Sequence, residues 1–136
     1  MLRPENTPKP TIQVIDDDER NCRLLNAILQ AEGYTVLLAH NGIDGIAMAK
    51  MKQPDLVLLD LMMSAMDGFQ VMHQLKDNAL TRDIPVIVSS ALDDEASLHR
   101  ALVSGAQDFI CKPIDRWELS LRINRLLLLK ASYSSK

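Results

Sequence analysis

The sequence lacks any apolar segment long enough to cross a membrane. Its run of four leucines, Leu126 to Leu129, spans about one helical turn, whereas a membrane helix needs about 20 apolar residues. The amino-terminal segment, residues 1–10, is polar and contains three prolines, so we expect a flexible lead there and no signal peptide. These absences predict a protein that does not interact with a membrane.

Cysteine is scarce, and Cys22 and Cys111 are the two that the chain contains. Their separation matches no metal-binding or redox motif. We therefore expect two isolated, reduced thiols in the core of a cytoplasmic protein.

The chain has no excess of positive charge. Its 15 basic and 18 acidic residues give a net charge of -3, which predicts no electrostatic attraction to nucleic acid. A length of 136 residues suits one domain with its own core. We expect this domain to cover residues 11–130, with the lead 1–10 before it and a short tail, 131–136, after it.

Apolar patterning predicts five strands that alternate with five helices. The predicted strands are 11–15, 35–39, 56–60, 84–90 and 108–112, and the predicted helices are 19–31, 43–52 after a turn at Asn41-Gly42, 69–78, 93–105 and 116–130. Short loops join these elements. Such alternation is typical of an α/β protein with a doubly wound parallel sheet.

The strand from Leu56 to Asp60 is the centre of the predicted fold. Four apolar residues end in a single carboxylate, which is the pattern of a strand buried on both faces of a parallel sheet. A buried carboxylate is costly unless another group compensates its charge. Asp60 is therefore a candidate functional residue.

Other polar residues end the neighbouring predicted strands. Because function gathers at the carboxyl ends of parallel strands, we expect three carboxylates, a hydroxyl and an amine at one edge of the sheet. They belong to Asp16, Asp17, Asp60, Ser90 and Lys112. Each residue alone is more often a helix cap or a surface group, and capping of the first helix explains the adjacent Asp18 well.

This set of groups is suited to phosphoryl transfer. Three convergent carboxylates provide oxygen ligands for Mg²⁺, which takes few protein ligands and retains exchangeable waters. Asp60 would accept the phosphoryl group as an aspartyl phosphate. Lys112 and Ser90 would hold the phosphoryl oxygens.

The same residues give the chain a resemblance to the receiver domain of two-component response regulators. The matching motifs keep that family's order and approximate spacing over about residues 11 to 130. They are Val14-Ile15-Asp16-Asp17-Asp18, Pro54 through Met63, Met66-Asp67-Gly68, Ile84-Pro85-Val86-Ile87, Ser90-Ala91, Gly105-Ala106 and Lys112-Pro113.

The resemblance implies a flavodoxin-like topology with strand order 2-1-3-4-5. It also implies that Asp60 is the phosphoacceptor and that Asp16, Asp17 and Asp60 bind Mg²⁺, together with the backbone carbonyl of Met62. The protein would then be a signalling receiver that takes part in its own phosphorylation and dephosphorylation, rather than an enzyme. Its phosphoryl donor would be a histidine kinase or a histidine phosphotransfer protein.

The resemblance further implies how the signal leaves the site. Ser90 would move toward the phosphoryl group, and Phe109 would be the aromatic switch that turns inward, although an ordinary core ring explains Phe109 almost as well. Lys112 would precede a cis proline, Pro113. Relatives often dimerise through the fourth helix, fifth strand and fifth helix, but solvated helix faces explain the charges there equally well.

The leucine run at Leu126 to Leu129 faces all sides of a helix, so at least one of these side chains should be exposed unless a partner covers it. The sequence leaves open whether the chain acts alone or is the receiver part of a longer protein.

Two features depart from the family pattern. Ser64 stands where a proline is common, which predicts a looser loop because proline restricts the backbone. Met62 and Leu92 flank the acceptor and the hydroxyl residue, and neither apolar side chain can orient a water. We therefore expect the phosphorylated form to hydrolyse slowly.

Three alternatives are weaker. A phosphatase of the haloacid dehalogenase type needs a second aspartate two residues after its nucleophile, where this chain has Met62. A flavodoxin-type cofactor carrier needs a Gly/Ser/Thr-rich loop after the first strand, where three aspartates would repel a phosphate. A degenerate receiver that only binds partners would lack some site residues, and here every matching position is filled.

Overall fold

The structure is a computed structural model that describes residues 9–91 and 95–134. Within these residues, five strands alternate with five helices, as the sequence predicts. The elements are β1 (Thr11–Ile15), α1 (Glu19–Ala31), β2 (Thr35–Ala39), α2 (Gly42–Lys52), β3 (Leu56–Asp60), α3 (Gly68–Lys76), β4 (Val86–Ala91), α4 (Glu95–Val103), β5 (Asp108–Lys112) and α5 (Arg116–Ser134).

The five strands form one parallel sheet in the order β2-β1-β3-β4-β5. This topology confirms the predicted strand order. All five residues of β3 are buried, because the strand has neighbours on both sides and helices on both faces.

Two apolar clusters fill the spaces between the sheet and its helices. One contains side chains of α1 and α5, and the other contains side chains of α2, α3 and α4. Leu56 and Leu58 belong to the first cluster, whereas Val57 and Leu59 belong to the second. Successive strand residues point to opposite faces, so an unbroken apolar run serves both layers.

Helix ends are fixed by short polar side chains. Asp18 caps α1 by accepting hydrogen bonds from the backbone N–H groups of Arg20 and Asn21, which confirms its role as a cap. Asp67 and Gln70 form a reciprocal capping box at the start of α3. This box fixes the helix that follows the loop after β3.

Some element bounds differ from those predicted. β4 begins at Val86, two residues later than predicted, and α3 and α4 end earlier. α5 continues to Ser134, four residues beyond its predicted end at Lys130; neither glycine nor proline occurs there to stop it. The proposed lead at residues 1–8, the predicted start of the fourth helix at 93 and Leu92 lie outside the described residues.

The leucine run on α5 has two buried or half-buried members and two exposed ones. Leu126 is buried, whereas Leu128 and Leu129 are exposed, which confirms the expectation of exposed leucine there. Within residues 9–91 and 95–134, no helix combines the length and apolar character that a transmembrane span requires.

Candidate functional site

The carboxyl ends of the strands bring the predicted site residues to one edge of the sheet. Asp16 follows β1, Asp60 ends β3 and Lys112 ends β5. The parallel register pairs Asp60 with Ser89 and Ala91 with Lys112. Because adjacent strands end at the same level, residues far apart in sequence meet there.

Three carboxylates converge at this edge. Asp16, Asp17 and Asp60 each offer an oxygen, and these oxygens lie within 4.8 Å of one another. Asp16 and Asp60 are buried, whereas Asp17 is exposed. The group thus has two fixed, desolvated members and one at the surface.

Asp60 is 3% exposed, and its contacts converge on one oxygen. Oδ1 accepts a hydrogen bond from the backbone N–H of Met62 at 3.1 Å and lies 3.2 Å from Nζ of Lys112. Burial raises the pKa of Asp60, and the negative charge of Asp16 raises it further. The Met62 N–H and the Lys112 ammonium lower the pKa but offset this only in part, so the carboxylate lacks full compensation for its charge.

Asp16 is held by residues at the start of α1. Its Oδ1 accepts the backbone N–H of Asp18 at 2.9 Å, and its Oδ2 accepts the side-chain amide of Asn21. Nζ of Lys112 lies 4.0 Å from the same Oδ2. The sequence prediction did not include Asn21; its place in the first turn of α1, close after the acidic pair, was the available signal.

Asp17 is connected to the loop between β3 and α3. The backbone N–H and the hydroxyl of Ser64 both donate to Oδ2 of Asp17, at 3.0 and 3.1 Å. A proline at this position could not donate from its backbone nitrogen. The loosening predicted for this loop stays a prediction, but the serine provides two contacts that the prediction did not foresee.

Gly68 allows this loop to lie against the end of β3. A Cβ atom at Gly68 would lie 2.5 Å from Cα of Leu61 and 2.8 Å from the carbonyl oxygen of Asp60. Both neighbours are backbone atoms that cannot move aside cheaply. The glycine of the Asp67-Gly68 pair is therefore required by close packing behind the acidic cluster.

Ser90 is fully buried at the end of β4, and its hydroxyl has no hydrogen-bond partner among the described residues. A buried hydroxyl without a partner is costly, so this group is available for a ligand that enters the site. Phe109, on the neighbouring strand β5, is half-buried against the cluster that contains α4. The Lys112–Pro113 peptide bond is cis, as the resemblance implies.

Cys22 lies beside the acidic cluster, with its thiol hydrogen-bonded to the backbone. Its thiol donates to the carbonyl oxygen of Asp16 at 3.3 Å. Burial and the nearby charges of Asp16 and Asp18 raise the pKa of this thiol to about 11. The thiol therefore stays protonated at neutral pH. Cys111, expected in the core as well, is only half-buried.

The donor set fits a hard divalent cation. The cluster has three carboxylates close to one ammonium group, so it carries excess negative charge that a cation would neutralise. All three ligand groups are oxygen donors, which Mg²⁺ prefers. Burial is the main cause of the raised pKa of Asp60, and the negative charge of Asp16 adds to it.

Comparison with known proteins agrees with this geometry. Residues 12–124 match the family model described as the response regulator receiver domain. The chain is 48% identical over 119 residues to the response regulator PleD of Caulobacter vibrioides, covering 88% of this chain and 26% of PleD. It is 39% identical over 116 residues to the protein PilH of Pseudomonas aeruginosa, covering 85% of this chain and 96% of PilH.

A solved structure adds a metal-bound relative. The receiver domain of a sensor histidine kinase from Pseudomonas aeruginosa, determined with a magnesium ion coordinated in its active-site cleft, superposes with a TM-score of 0.81 at 25% identity. The match covers 88% of this chain and 98% of that one.

The chain thus spans about a quarter of the length of PleD but nearly all of PilH. With a parallel sheet of order 2-1-3-4-5, an acidic cluster at its carboxyl edge and a family match over residues 12–124, this chain belongs to the response regulator receiver domains of two-component signalling.

Proposed function

We propose that Asp60 accepts a phosphoryl group from a histidine kinase or a histidine phosphotransfer protein, at a site where Asp16, Asp17, Asp60 and the backbone carbonyl of Met62 bind Mg²⁺. The observation that supports this most directly is the convergence of three carboxylates, two of which lie within 4.0 Å of the Lys112 ammonium group. A receiver domain is a signalling module rather than an enzyme, so the product is the phosphorylated protein itself. Such a role agrees with the cytoplasmic location expected from the sequence.

The contacts of Asp60 indicate which oxygen reacts. Both the Met62 N–H and the Lys112 ammonium contact Oδ1, which leaves Oδ2 without a donor among the described residues. Oδ2 would form the bond to phosphorus while the bond between phosphorus and the donor imidazole breaks. The imidazole nitrogen retains the electron pair and takes up a proton.

The negative charge of the phosphorylated Asp60 must then be balanced by positive groups. Phosphorylation adds about -1.5 to -2 charges at this point. Lys112 already lies within ion-pair distance of Asp60 and would hold one phosphoryl oxygen, while the unpartnered hydroxyl of Ser90 would donate to another. A bound Mg²⁺ supplies the remaining positive charge.

A direct test uses a small phosphodonor with Mg²⁺. Intact-mass measurement should show the addition of one phosphoryl group to the wild type and none to Asp60→Ala. Asp83→Asn, at an exposed aspartate outside the cluster, should be phosphorylated like the wild type. Phosphorylation of Asp60→Ala, or its complete absence from the wild type when Mg²⁺ is present, would contradict the proposal.

The output surface that we propose is the face formed by α4, β5 and α5. Trp117 is 75% exposed, and Leu121, one turn later on α5, is exposed as well. Exposed large apolar side chains at this spacing are typical of a protein-binding face. Beryllofluoride, which imitates the phosphoryl group, should shift the amide resonances of α4 and the oligomeric state in the wild type but not in Asp60→Ala.

Four charged residues of this face are already paired with one another within one chain. Asp108 is buried, and its two oxygens lie 2.7 Å from Nη1 of Arg122 and 2.6 Å from Nη2 of Arg125. Arg122 also lies 3.7 Å from Glu118. A homodimer of this protein would therefore depend more on Trp117 and Leu121 than on salt bridges made by these arginines.

A further inference from the structure

Ser64 makes two hydrogen bonds to the exposed member of the acidic cluster, Asp17. Its backbone N–H and its hydroxyl both donate to the same oxygen, Oδ2 of Asp17. These two residues are 47 positions apart in the sequence. The contact therefore joins the loop after β1 to the loop after β3.

Asp17 needs such a restraint more than its neighbours do. Asp16 and Asp60 are buried and have fixed hydrogen-bond partners. Asp17 is exposed, and an exposed carboxylate rotates freely unless a neighbour fixes it. A free carboxylate loses conformational entropy when it becomes a metal ligand, so prior fixation increases the affinity of the site.

The loop that contains Ser64 also contains the backbone proposed as a ligand. Met62 precedes Ser64 by two residues, and its N–H is bonded to Asp60. At the other end of the loop, the N–H of Gly68 donates to the carbonyl oxygen of Leu61 at 3.1 Å. The contact between Ser64 and Asp17 thus fixes the part of the loop between these two anchors.

We infer that Ser64 is a positioning residue that strengthens divalent-cation binding by orienting Asp17 through its two hydrogen bonds. This inference rests on the proposed Mg²⁺ site. It predicts that the affinity falls in steps as the donors of residue 64 are removed. Loss of a group that orients a metal ligand commonly weakens binding tenfold or more, and the solvent exposure of this pair reduces that effect.

The test is calorimetric titration of the unphosphorylated protein with Mg²⁺. Ser64→Thr retains both donors and should bind like the wild type. Ser64→Ala retains only the backbone donor and should bind about threefold more weakly, and Ser64→Pro has neither donor and should bind about tenfold more weakly. Ser104→Ala, at an exposed serine beyond α4, is the control and should match the wild type.

A second comparison distinguishes orientation of Asp17 from a general effect on the loop. In an Asp17→Asn background, Ser64→Ala should cause no further loss of Mg²⁺ affinity. The amide hydrogen of Ser64 should exchange with solvent more slowly in the wild type than in Asp17→Ala. Thermal unfolding of each variant shows whether it is folded, and Ser64→Ala and Ser64→Thr keep the test valid if Ser64→Pro does not fold.

The outcomes separate this inference from the proposed function. Wild-type protein that binds no Mg²⁺ would overturn both. Wild-type protein that binds Mg²⁺, with Ser64→Ala binding equally or more tightly, would overturn only the role of Ser64. An equal loss in the Asp17→Asn background would also overturn it, since Ser64 would then act through something other than Asp17.

Discussion

Nζ of Lys112 lies 3.2 Å from Oδ1 of Asp60, although the strands that contain these residues are not neighbours. β4 lies between β3 and β5, so the lysine side chain passes over the end of β4 to reach the carboxylate. A lysine stem is long enough for this, and the side chain remains 32% exposed to solvent. The contact places the Lys112 ammonium group beside Oδ1 of Asp60 and leaves Oδ2 free of this contact.

Removal of the Lys112 ammonium group should affect phosphorylation and Mg²⁺ binding in opposite directions. In Lys112→Ala, the rate of phosphorylation by a small phosphodonor should fall by about 100-fold or more, because one group that stabilises the transferring phosphoryl oxygens is lost. The affinity for Mg²⁺ should rise modestly, since a neighbouring positive charge is removed. Intact-mass kinetics and calorimetry measure the two effects, with Lys50→Ala on the exposed side of α2 as the control. An unchanged phosphorylation rate would exclude a role for Lys112 in transfer.

Neutralisation of Asp60 should stabilise the protein at neutral pH. The pKa of Asp60 is raised in the folded protein, so ionisation of this carboxyl destabilises the folded state. The destabilisation is absent below the ordinary aspartate pKa of about 3.9 and grows as pH rises through the raised value. Asp60→Asn should therefore unfold at a higher temperature at pH 7, by roughly 4 °C for about 1 kcal/mol. Calorimetric unfolding of both proteins between acidic and neutral pH would show the difference disappearing in acid. A variant that is less stable than the wild type at pH 7 would contradict this account.

The hydroxyl of Ser90 should have opposite effects in the two states. Ser90→Ala removes a buried hydroxyl without a partner, so the unphosphorylated protein should become more stable by about 0.5–1 kcal/mol. Its affinity for beryllofluoride with Mg²⁺ should fall about tenfold, because one donor to the phosphoryl analogue is lost. Urea unfolding and fluorine NMR measure these quantities. Ser89→Ala, one residue earlier and directed to the other side of the sheet, should not weaken beryllofluoride binding.

Asp108 should contribute to stability above acidic pH. Burial alone would raise the pKa of Asp108, but the N–H of Phe109 and the guanidinium groups of Arg122 and Arg125 lower it below its ordinary value. Because the pKa is lowered in the folded protein, ionised Asp108 stabilises the folded state above the ordinary pKa of about 3.9. This stabilisation is lost as pH falls through the lower folded value. Asp108→Asn should cost about 2 kcal/mol at pH 7, because two guanidinium groups lose their partner. Denaturant unfolding at neutral and strongly acidic pH should show the wild type losing this advantage in acid.

The phosphorylated protein should hydrolyse slowly. The side chain of Met62 is exposed beside Asp60 and has no group that could orient an attacking water. Met62→Glu introduces such a group and should shorten the lifetime of the phosphorylated form several-fold. The decay is followed by intact mass after removal of the phosphodonor. A wild-type half-life of seconds, without a phosphatase, would disprove the hypothesis.

Local sequence patterns were sufficient to predict the order of the strands and helices. The run from Leu56 to Asp60 predicts a buried strand because both of its faces are apolar, and the structure confirms that all five residues are buried. The bounds of β1, β2, β3, β5 and α1 agree as well, because alternation, caps and breakers are local signals, whereas α2 begins at Gly42, inside the predicted turn. The end of α5 was predicted less well, since nothing in residues 131–134 marks where a helix must stop.

The sequence by itself determined which chemical groups stand at the strand ends, because the residue that follows each apolar run is fixed by the chain. Only the tertiary structure decided how these groups are oriented. The contacts of Ser64 with Asp17 and of Lys112 with Asp60 join residues 47 and 52 positions apart, and such contacts depend on how whole loops and strands pack. Hydrophobic periodicity predicts which face of an element is buried, whereas a hydrogen bond between two loops requires atoms placed to within a few tenths of an ångström.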